Sequence, residues 1–179
     1  SADREGCGEY RIIAPSRALF KSGRIHASET MRLMTPPEIA RIAPDSIVFQ
    51  RQLELVQIGV IEAVKNTSKV FRIFELDDLI TNLPPKSAHR PNIAPDIAQR
   101  LKRALGLCDR FVTSTEALAQ GDGKTCDETV VVPNRLEKSR WLGLGGGRRD
   151  GGKPRVGWAG AVGHLGDLAI IALVVEATA

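Results

Sequence analysis

Short apolar runs that alternate with segments of helical spacing constrain the fold of this chain most strongly. The apolar runs lie at 46–50, 69–78, 110–114 and 129–133. Segments with apolar residues at helical spacing lie between them at 53–64, 96–107 and 115–119. This alternation is typical of βαβ units, in which successive strands pair in parallel and helices cover the sheet. The sequence therefore predicts an α/β fold, with a Rossmann-like parallel sheet and flanking helices.

The start of the chain gives weaker signals. Apolar residues at helical spacing predict a helix over 10–20, although a proline interrupts it, and a strand is weakly indicated over 25–34. Two glycines, Gly6 and Gly8, precede the helix. They either let the backbone approach a phosphate or an acceptor, or they are ordinary turn residues.

The end of the chain predicts the beginning of a second domain. Residues 143–153 are rich in glycine and predict a flexible linker after a first domain at 1–142. Residues 154–179 then predict a strand, a glycine-bearing turn and an apolar helix, which is one βα unit. One such unit cannot bury its own apolar faces, so we expect a truncated second domain. A helix that follows a glycine turn presents its N-terminus to phosphate groups.

Two polar residues begin that last helix, His164 and Asp167. Their spacing of three places them on one helix face. Either side chain is a candidate contact for a phosphate or a sugar. Alternatively, Asp167 is only the acidic residue that stabilises a helix N-terminus.

Three carboxylates end the second apolar run, Glu75, Asp77 and Asp78. Open α/β sheets bind ligands at the carboxyl ends of their strands, where a carboxylate can act as a general base. Strand alternation predicts Glu75 and Asp77 on one face and Asp78 on the other. Glu75 and Asp77 are therefore candidate catalytic residues, whereas Asp78 has the alternative role of ordering the loop that follows. No further carboxylate or histidine joins them in the sequence, so no metal is expected.

Composition and charge exclude some partners. The net charge of +4 suits anionic partners such as nucleotides, phosphorylated lipids or a membrane surface. The aromatic content of 4% and the lack of interleaved basic and aromatic residues argue against nucleic acid. One basic set has two interpretations, a solvated helix face or a contact with an anionic membrane. It consists of Arg100, Lys102, Arg103 and Arg110.

Cysteine usage indicates the compartment. The three cysteines are widely spaced and form no C-x-x-C pair, so a reducing cytoplasm is expected. No apolar run reaches the roughly 18 residues that a membrane-spanning helix needs.

Five segments occur in an order that is characteristic of one enzyme family. They are Gly6-Cys7-Gly8-Glu9-Tyr10-Arg11, the acidic strand end at 74–79, the segment at 108–118, the strand with Pro133-Asn134-Arg135 at 130–136, and the glycine turn at 157–167. Together they resemble GT-B-fold glycosyltransferases, particularly the bacterial relatives that build surface polysaccharides.

The resemblance implies an enzyme that moves a sugar from a nucleotide-sugar donor to a glycan or lipid-linked acceptor. It implies a cytoplasmic protein, with peripheral contact at the inner face of the membrane as an option, and no cofactor besides the nucleotide-sugar substrate. The donor side would hold Gly160, His164, Asp167 and Arg135, although Arg135 is also a candidate for a salt bridge near the hinge. The acceptor side would hold Gly6, Gly8, Tyr10, Asp78 and Asn134.

The chain departs from the family pattern in its second domain. The family carries Arg and Lys in the first loop of that domain, whereas this chain has Ala161-Val162-Gly163-His164, which leaves His164 as the cation. The glutamate motif that holds the donor would lie beyond residue 179, so we expect this chain alone to be catalytically incomplete.

Two other interpretations compete with the transferase. Gly157-x-x-Gly160-x-x-Gly163 fits the dinucleotide turn of an NAD-dependent epimerase or reductase. Against it, Glu176 falls inside the predicted helix, although the ribose-binding acid is expected at the end of a second strand. A Rossmann-like sensor domain around Asp77 and Asp78 ranks last, because no later strand ends in lysine.

Overall fold

A four-stranded parallel sheet forms the centre of the molecule. The computed structural model describes residues 1, 3–4, 6–85, 87–145, 157, 160 and 165–178. The strands are β1 (Ser46–Gln50), β2 (Phe71–Leu76), β3 (Arg110–Thr113) and β4 (Thr129–Val131). Their order in the sheet follows the chain, β1-β2-β3-β4, and each neighbouring pair is parallel. The predicted α/β fold with a Rossmann-like parallel sheet is confirmed.

Helices flank the sheet and connect its strands. They are α1 (Gly6–Gly8), α2 (Ala14–Lys21), α3 (Pro36–Ile42), α4 (Leu55–Thr67), α5 (Ile97–Gly106), α6 (Glu116–Asp122), α7 (Lys138–Trp141) and α8 (Leu165–Thr178). A π-helical turn over Glu9–Ile13 joins α1 to α2. The proline predicted to interrupt this helix, Pro15, lies in the first turn of α2, directly after the π-helical turn. Helical structure is continuous on both sides of Pro15, so the helix predicted over 10–20 is confirmed.

The core lies between the sheet and the helices α4 and α5. Phe74 on β2 and Phe111 on β3 are fully buried in the centre of the sheet. Helix α4 contributes Ile58, Ile61 and Val64, and α5 contributes Leu101, Ala104 and Leu105, all from one face. On α5 the helical spacing read from the sequence therefore marks the buried face, whereas on α4 two of the apolar residues that gave the spacing, Leu55 and Val56, are exposed.

The strand predicted over 25–34 is wrong, because this segment forms no strand. Most of its side chains are exposed, so the apolar alternation that would bury one strand face is missing. Farther along, the proline-rich loop after β2 contains two short 3₁₀ turns, Ile80–Asn82 and Arg90–Asn92.

Helix α8 is the described part of the predicted second βα unit. It carries exposed apolar side chains, among them Ile170, Ile171 and Val174. The strand predicted at its start and His164 lie outside the described residues, and the predicted domain boundaries stay a prediction. Within the described ranges, no helix is long and apolar enough to cross a membrane.

Three of the four residues in the basic set at 100–110 form ion pairs. Arg103 pairs with Glu62 at 2.7 Å, and Arg110 pairs with Glu128 at 2.9 Å. Arg100 lies 2.9 Å from an Asp96 oxygen. Since these arginines already face carboxylates, the structure favours a solvated surface over a basic patch for a membrane.

Candidate functional site

A cavity of about 300 Å³ lies at the edge of the sheet where the strands end. We call this the carboxyl edge, formed by the residues that follow the four parallel strands, and ligands of open α/β sheets bind there. The cavity is lined by Gly6, Cys7, Tyr10, Arg11, Asp77, Asn134, Arg135 and Leu136. Gly6, Tyr10, Asp77, Asn134 and Arg135 are all site residues predicted from the sequence, so the structure brings five of them together.

Arg11 fastens the N-terminal helical segment, residues 6–21, to this edge. Its Nε lies 2.6 Å from Oε1 of Glu75, and both side chains are almost fully buried. The same guanidinium donates hydrogen bonds to the carbonyl oxygen of Val132 and to Oδ1 of Asn134. One side chain therefore links the N-terminal segment to the end of β2 and to the chain that leaves β4.

Glu75 is held behind Arg11 and does not line the cavity. Burial raises the pKa of its carboxyl group, while the hydrogen bond and charge of Arg11 act in the opposite direction. With a side chain that is 2% exposed, Glu75 is enclosed by protein. We therefore expect Glu75 to position Arg11, and Asp77 is the predicted catalytic carboxylate that faces the cavity.

Arg51 organises the two aspartates that follow β2. It has a left-handed backbone with φ of 50°, and its N–H donates to the carbonyl oxygen of Glu75 at 3.0 Å. Its Nη2 lies 3.0 Å from Oδ1 of Asp77 and also contacts the carboxylate of Asp78. The prediction that Asp77 and Asp78 face opposite ways is wrong, because β2 ends at Leu76 and strand alternation stops there.

The backbone after β2 is fixed from the neighbouring strand as well. Ser114, which follows β3, donates its hydroxyl hydrogen to the carbonyl oxygen of Asp77 at 2.9 Å. Thr115 then caps α6, with its Oγ1 accepting from the N–H of Leu118. Asp77 is therefore held through both its side chain and its main chain, which preorganises it within the cavity wall.

Cys7 lies in the same wall as a protonated thiol. Burial, followed by a hydrogen bond to Asp77 and that carboxylate's charge, raises the pKa of Cys7 to about 12. A thiol with such a pKa is a poor nucleophile at neutral pH. The ligand atoms of Cys7, Asp77 and Asp78 lie within 4.8 Å of one another, close enough for a metal ion. However, the Arg51 guanidinium contacts all three groups and supplies the positive charge there.

The predicted glycines have different surroundings. Gly6 has φ of 48°, a left-handed conformation that L side chains rarely adopt, and it lines the cavity. Gly8 does not line the cavity. A Cβ there would lie 1.8 Å from the carbonyl oxygen of Asp3, so Gly8 is required for close packing of the N-terminal segment.

The two described residues of the last segment that were predicted to bind the donor, Gly160 and Asp167, do not line the cavity. Gly160 and Asp167 are exposed, with Asp167 in the first turn of α8. His164 lies outside the described residues. Three side chains that shape the site were not predicted, namely Arg11, Arg51 and Cys7.

Comparisons with known proteins give no match, whether with protein-family models, curated proteins or solved structures. The fold and the site define the chain as an α/β protein with a ligand-sized cavity at the carboxyl edge of its sheet. The resemblance to GT-B-fold glycosyltransferases depends on the sequence motifs, and it is compatible with this sheet.

Proposed function

We propose that residues 1–142 form the acceptor-side domain of a glycosyltransferase and that the cavity binds a sugar of a glycan or lipid-linked acceptor. The observation that carries this proposal is the location of Asp77 in the wall of a 300 Å³ cavity together with Tyr10 and Asn134. The volume lies at the lower end of the range for small-molecule pockets, about 300–1,000 Å³. Such a cavity suits a small polar ligand rather than a dinucleotide.

The chemistry of the wall fits a hydroxylated ligand. The carboxylate of Asp77 can accept a hydrogen bond from a sugar hydroxyl and remove its proton as the hydroxyl attacks the donor sugar. The phenol of Tyr10 and the amide of Asn134 offer further hydrogen bonds. Because Arg51 and Ser114 hold Asp77 in place, the carboxylate needs little reorganisation when the ligand binds.

The donor would bind the second domain in this proposal. A nucleotide-sugar would lie against the segment with Gly160, His164 and Asp167, and the N-terminus of α8 would face its diphosphate. Transfer then requires both domains, whereas acceptor binding requires only the cavity. Acceptor binding is therefore the property of this chain to measure first.

Chemical-shift mapping by NMR on the complete 179-residue chain tests the proposal. Methyl glycosides and short oligosaccharides should shift the backbone amides at 6–11, 77 and 134–136. Asp77→Ala should weaken glycoside binding about tenfold or more, since a hydrogen bond to a charged group contributes about 1.5–3 kcal/mol. Asp45→Ala is the matched control, because Asp45 is exposed and precedes β1 at the opposite edge of the sheet.

Two results would overturn the proposal. One is the absence of cavity shifts with every glycoside in the panel. The other is an equal effect of Asp77→Ala and Asp45→Ala on affinity. Shifts produced by NAD alone, centred on 157–167, would favour the dinucleotide-binding interpretation instead.

A further inference from the structure

The polar groups that line the cavity differ in how far the protein already satisfies them. The guanidinium of Arg11 is engaged by Glu75, Val132 and Asn134. The carboxylate of Asp77 is engaged by Arg51. The charges of Arg11 and Asp77 are therefore already compensated by other side chains of the protein.

Arg135 is different, because the described part of the chain gives its guanidinium no carboxylate partner. It lies on the exposed stretch after β4, and it shares the cavity with Asp77 and Tyr10. The salt bridge near the hinge that the sequence suggested for Arg135 is not formed among the described residues. An arginine that faces a cavity without a counter-ion is suited to bind a carboxylate or a phosphate group of a ligand.

The neighbouring groups strengthen this preference. Because Oδ1 of Asn134 accepts a hydrogen bond from Arg11, the amide nitrogen remains available as a donor. Leu136 adds an exposed apolar surface beside it. The part of the wall that follows β4 therefore offers hydrogen-bond donors, whereas the part that follows β2 offers the acceptor Asp77. This difference would orient a ligand that carries an anionic group at one end and a hydroxyl at the other.

We propose that the cavity recognises an anionic sugar, a sugar phosphate or a uronate, with Arg135 as the counter-ion of its charged group. This inference rests on the proposed sugar-binding function and names the class of acceptor. It also assigns Arg135 to the acceptor rather than to the donor diphosphate. The hydroxyl that reacts would then face Asp77, at the other end of the ligand.

Titration of the complete chain with four probes tests the inference. The probes are methyl glucoside, methyl glucuronide, glucose 6-phosphate and inorganic phosphate. We expect both anionic sugars to bind about tenfold more tightly than methyl glucoside, because charge-assisted hydrogen bonds are about twice as strong as neutral ones. The preference should decrease with added salt, since Arg135 is exposed and its interactions are screened. The comparison of methyl glucuronide with glucose 6-phosphate shows whether the cavity prefers a carboxylate or a phosphate group on the sugar.

Substitution separates Arg135 from the general positive charge of the chain. Arg135→Gln should abolish the preference for anionic sugars, so that methyl glucoside and the anionic sugars bind this variant with similar affinities. Arg41→Gln removes the same charge from the exposed last turn of α3 and should leave the preference intact.

Each contrary result has a distinct meaning. If methyl glucoside binds the cavity but the anionic sugars bind no better, this inference fails and the proposed function stands. If Arg135→Gln retains the preference, or inorganic phosphate binds as tightly as glucose 6-phosphate, the inference is also overturned. If no sugar binds at all, the proposed function fails with it.

Discussion

Removal of Arg11 should destabilise the protein far more than removal of a surface arginine. Arg11→Met leaves the carboxylate of Glu75 buried without its partner, because that side chain is 2% exposed and pairs with Arg11 at 2.6 Å. Breaking a buried ion pair from one side costs about 3–5 kcal/mol. For a chain of this length each kcal/mol lowers Tm by roughly 2–4 °C, so we expect a decrease of about 6–20 °C.

The stability lost in Arg11→Met should also depend on pH. Burial raises the pKa of Glu75, and the hydrogen bond with Arg11 counteracts this rise in the wild type. Without Arg11 the folded-state pKa moves further above its unfolded value. A carboxyl group with a raised pKa contributes stability fully below its unfolded pKa and loses that contribution as pH rises through the folded pKa. The deficit of Arg11→Met should therefore be smaller at pH 5 than at pH 8.

Urea unfolding at both pH values measures the effect. Arg103→Met is the matched control, because Arg103 and Glu62 form a pair of similar length, 2.7 Å, with both side chains about half exposed. Such surface pairs contribute about 0–1 kcal/mol. The double variant Arg11→Met/Glu75→Gln should recover part of the loss at pH 8, since it removes the buried charge. A cost of Arg11→Met no larger than that of Arg103→Met, or an equal cost at both pH values, would contradict a stabilising buried pair between Arg11 and Glu75.

Three further predictions concern the helix cap, the core and the thiol. Thr115→Ala should cost about 1 kcal/mol in urea unfolding, because its hydroxyl caps α6; no measurable change would contradict the cap. Ile58→Ala should cost about 2–5 kcal/mol in the same assay, since this side chain is fully buried; a cost below 1 kcal/mol would place Ile58 outside the core. Iodoacetamide at pH 7.5 should modify Cys7 slowly and should do so faster in Asp77→Asn, because Asp77 raises the pKa of that thiol. Peptide mass spectrometry measures both rates, with Cys108 as an internal control whose burial raises its pKa independently of Asp77; equal Cys7 rates in the two proteins would contradict this.

The sequence was sufficient to predict the elements of the sheet and the edge at which the site lies. Periodicity is a local property, so the spacing of Leu101, Ala104 and Leu105 marks one helix face without reference to the rest of the fold. Parallel strands place their carboxyl ends together, so Asp77 and Asn134 could be expected at one edge although 57 positions separate them in the sequence. Helix periodicity and parallel strand pairing are both independent of which side chains pair with each other.

The ion pairs of the site could not be predicted in the same way. Arg11 and Glu75 are 64 positions apart, and Arg51 and Asp77 are 26 apart, so no local pattern links them. An arginine near the start of a helix has the same sequence signal whether it faces solvent or a buried carboxylate. One signal was available, because Arg51 directly follows the apolar run of β1 and its position at the carboxyl edge follows from parallel pairing alone.

The same ion pair that stabilises the fold also shapes the cavity. Four of the eight lining residues, Gly6, Cys7, Tyr10 and Arg11, belong to the N-terminal segment that Arg11 fastens to Glu75. A ligand that contacts this wall would stabilise the docked segment, since binding to the native state alone adds to its stability. Variants of Arg11 would therefore change ligand affinity and stability together. Substitution at Arg135 can separate recognition from folding, because Arg135 is exposed and forms no ion pair among the described residues. Substitution at Asp77 also removes the partner of Arg51, so its effect on affinity has to be compared with its effect on stability.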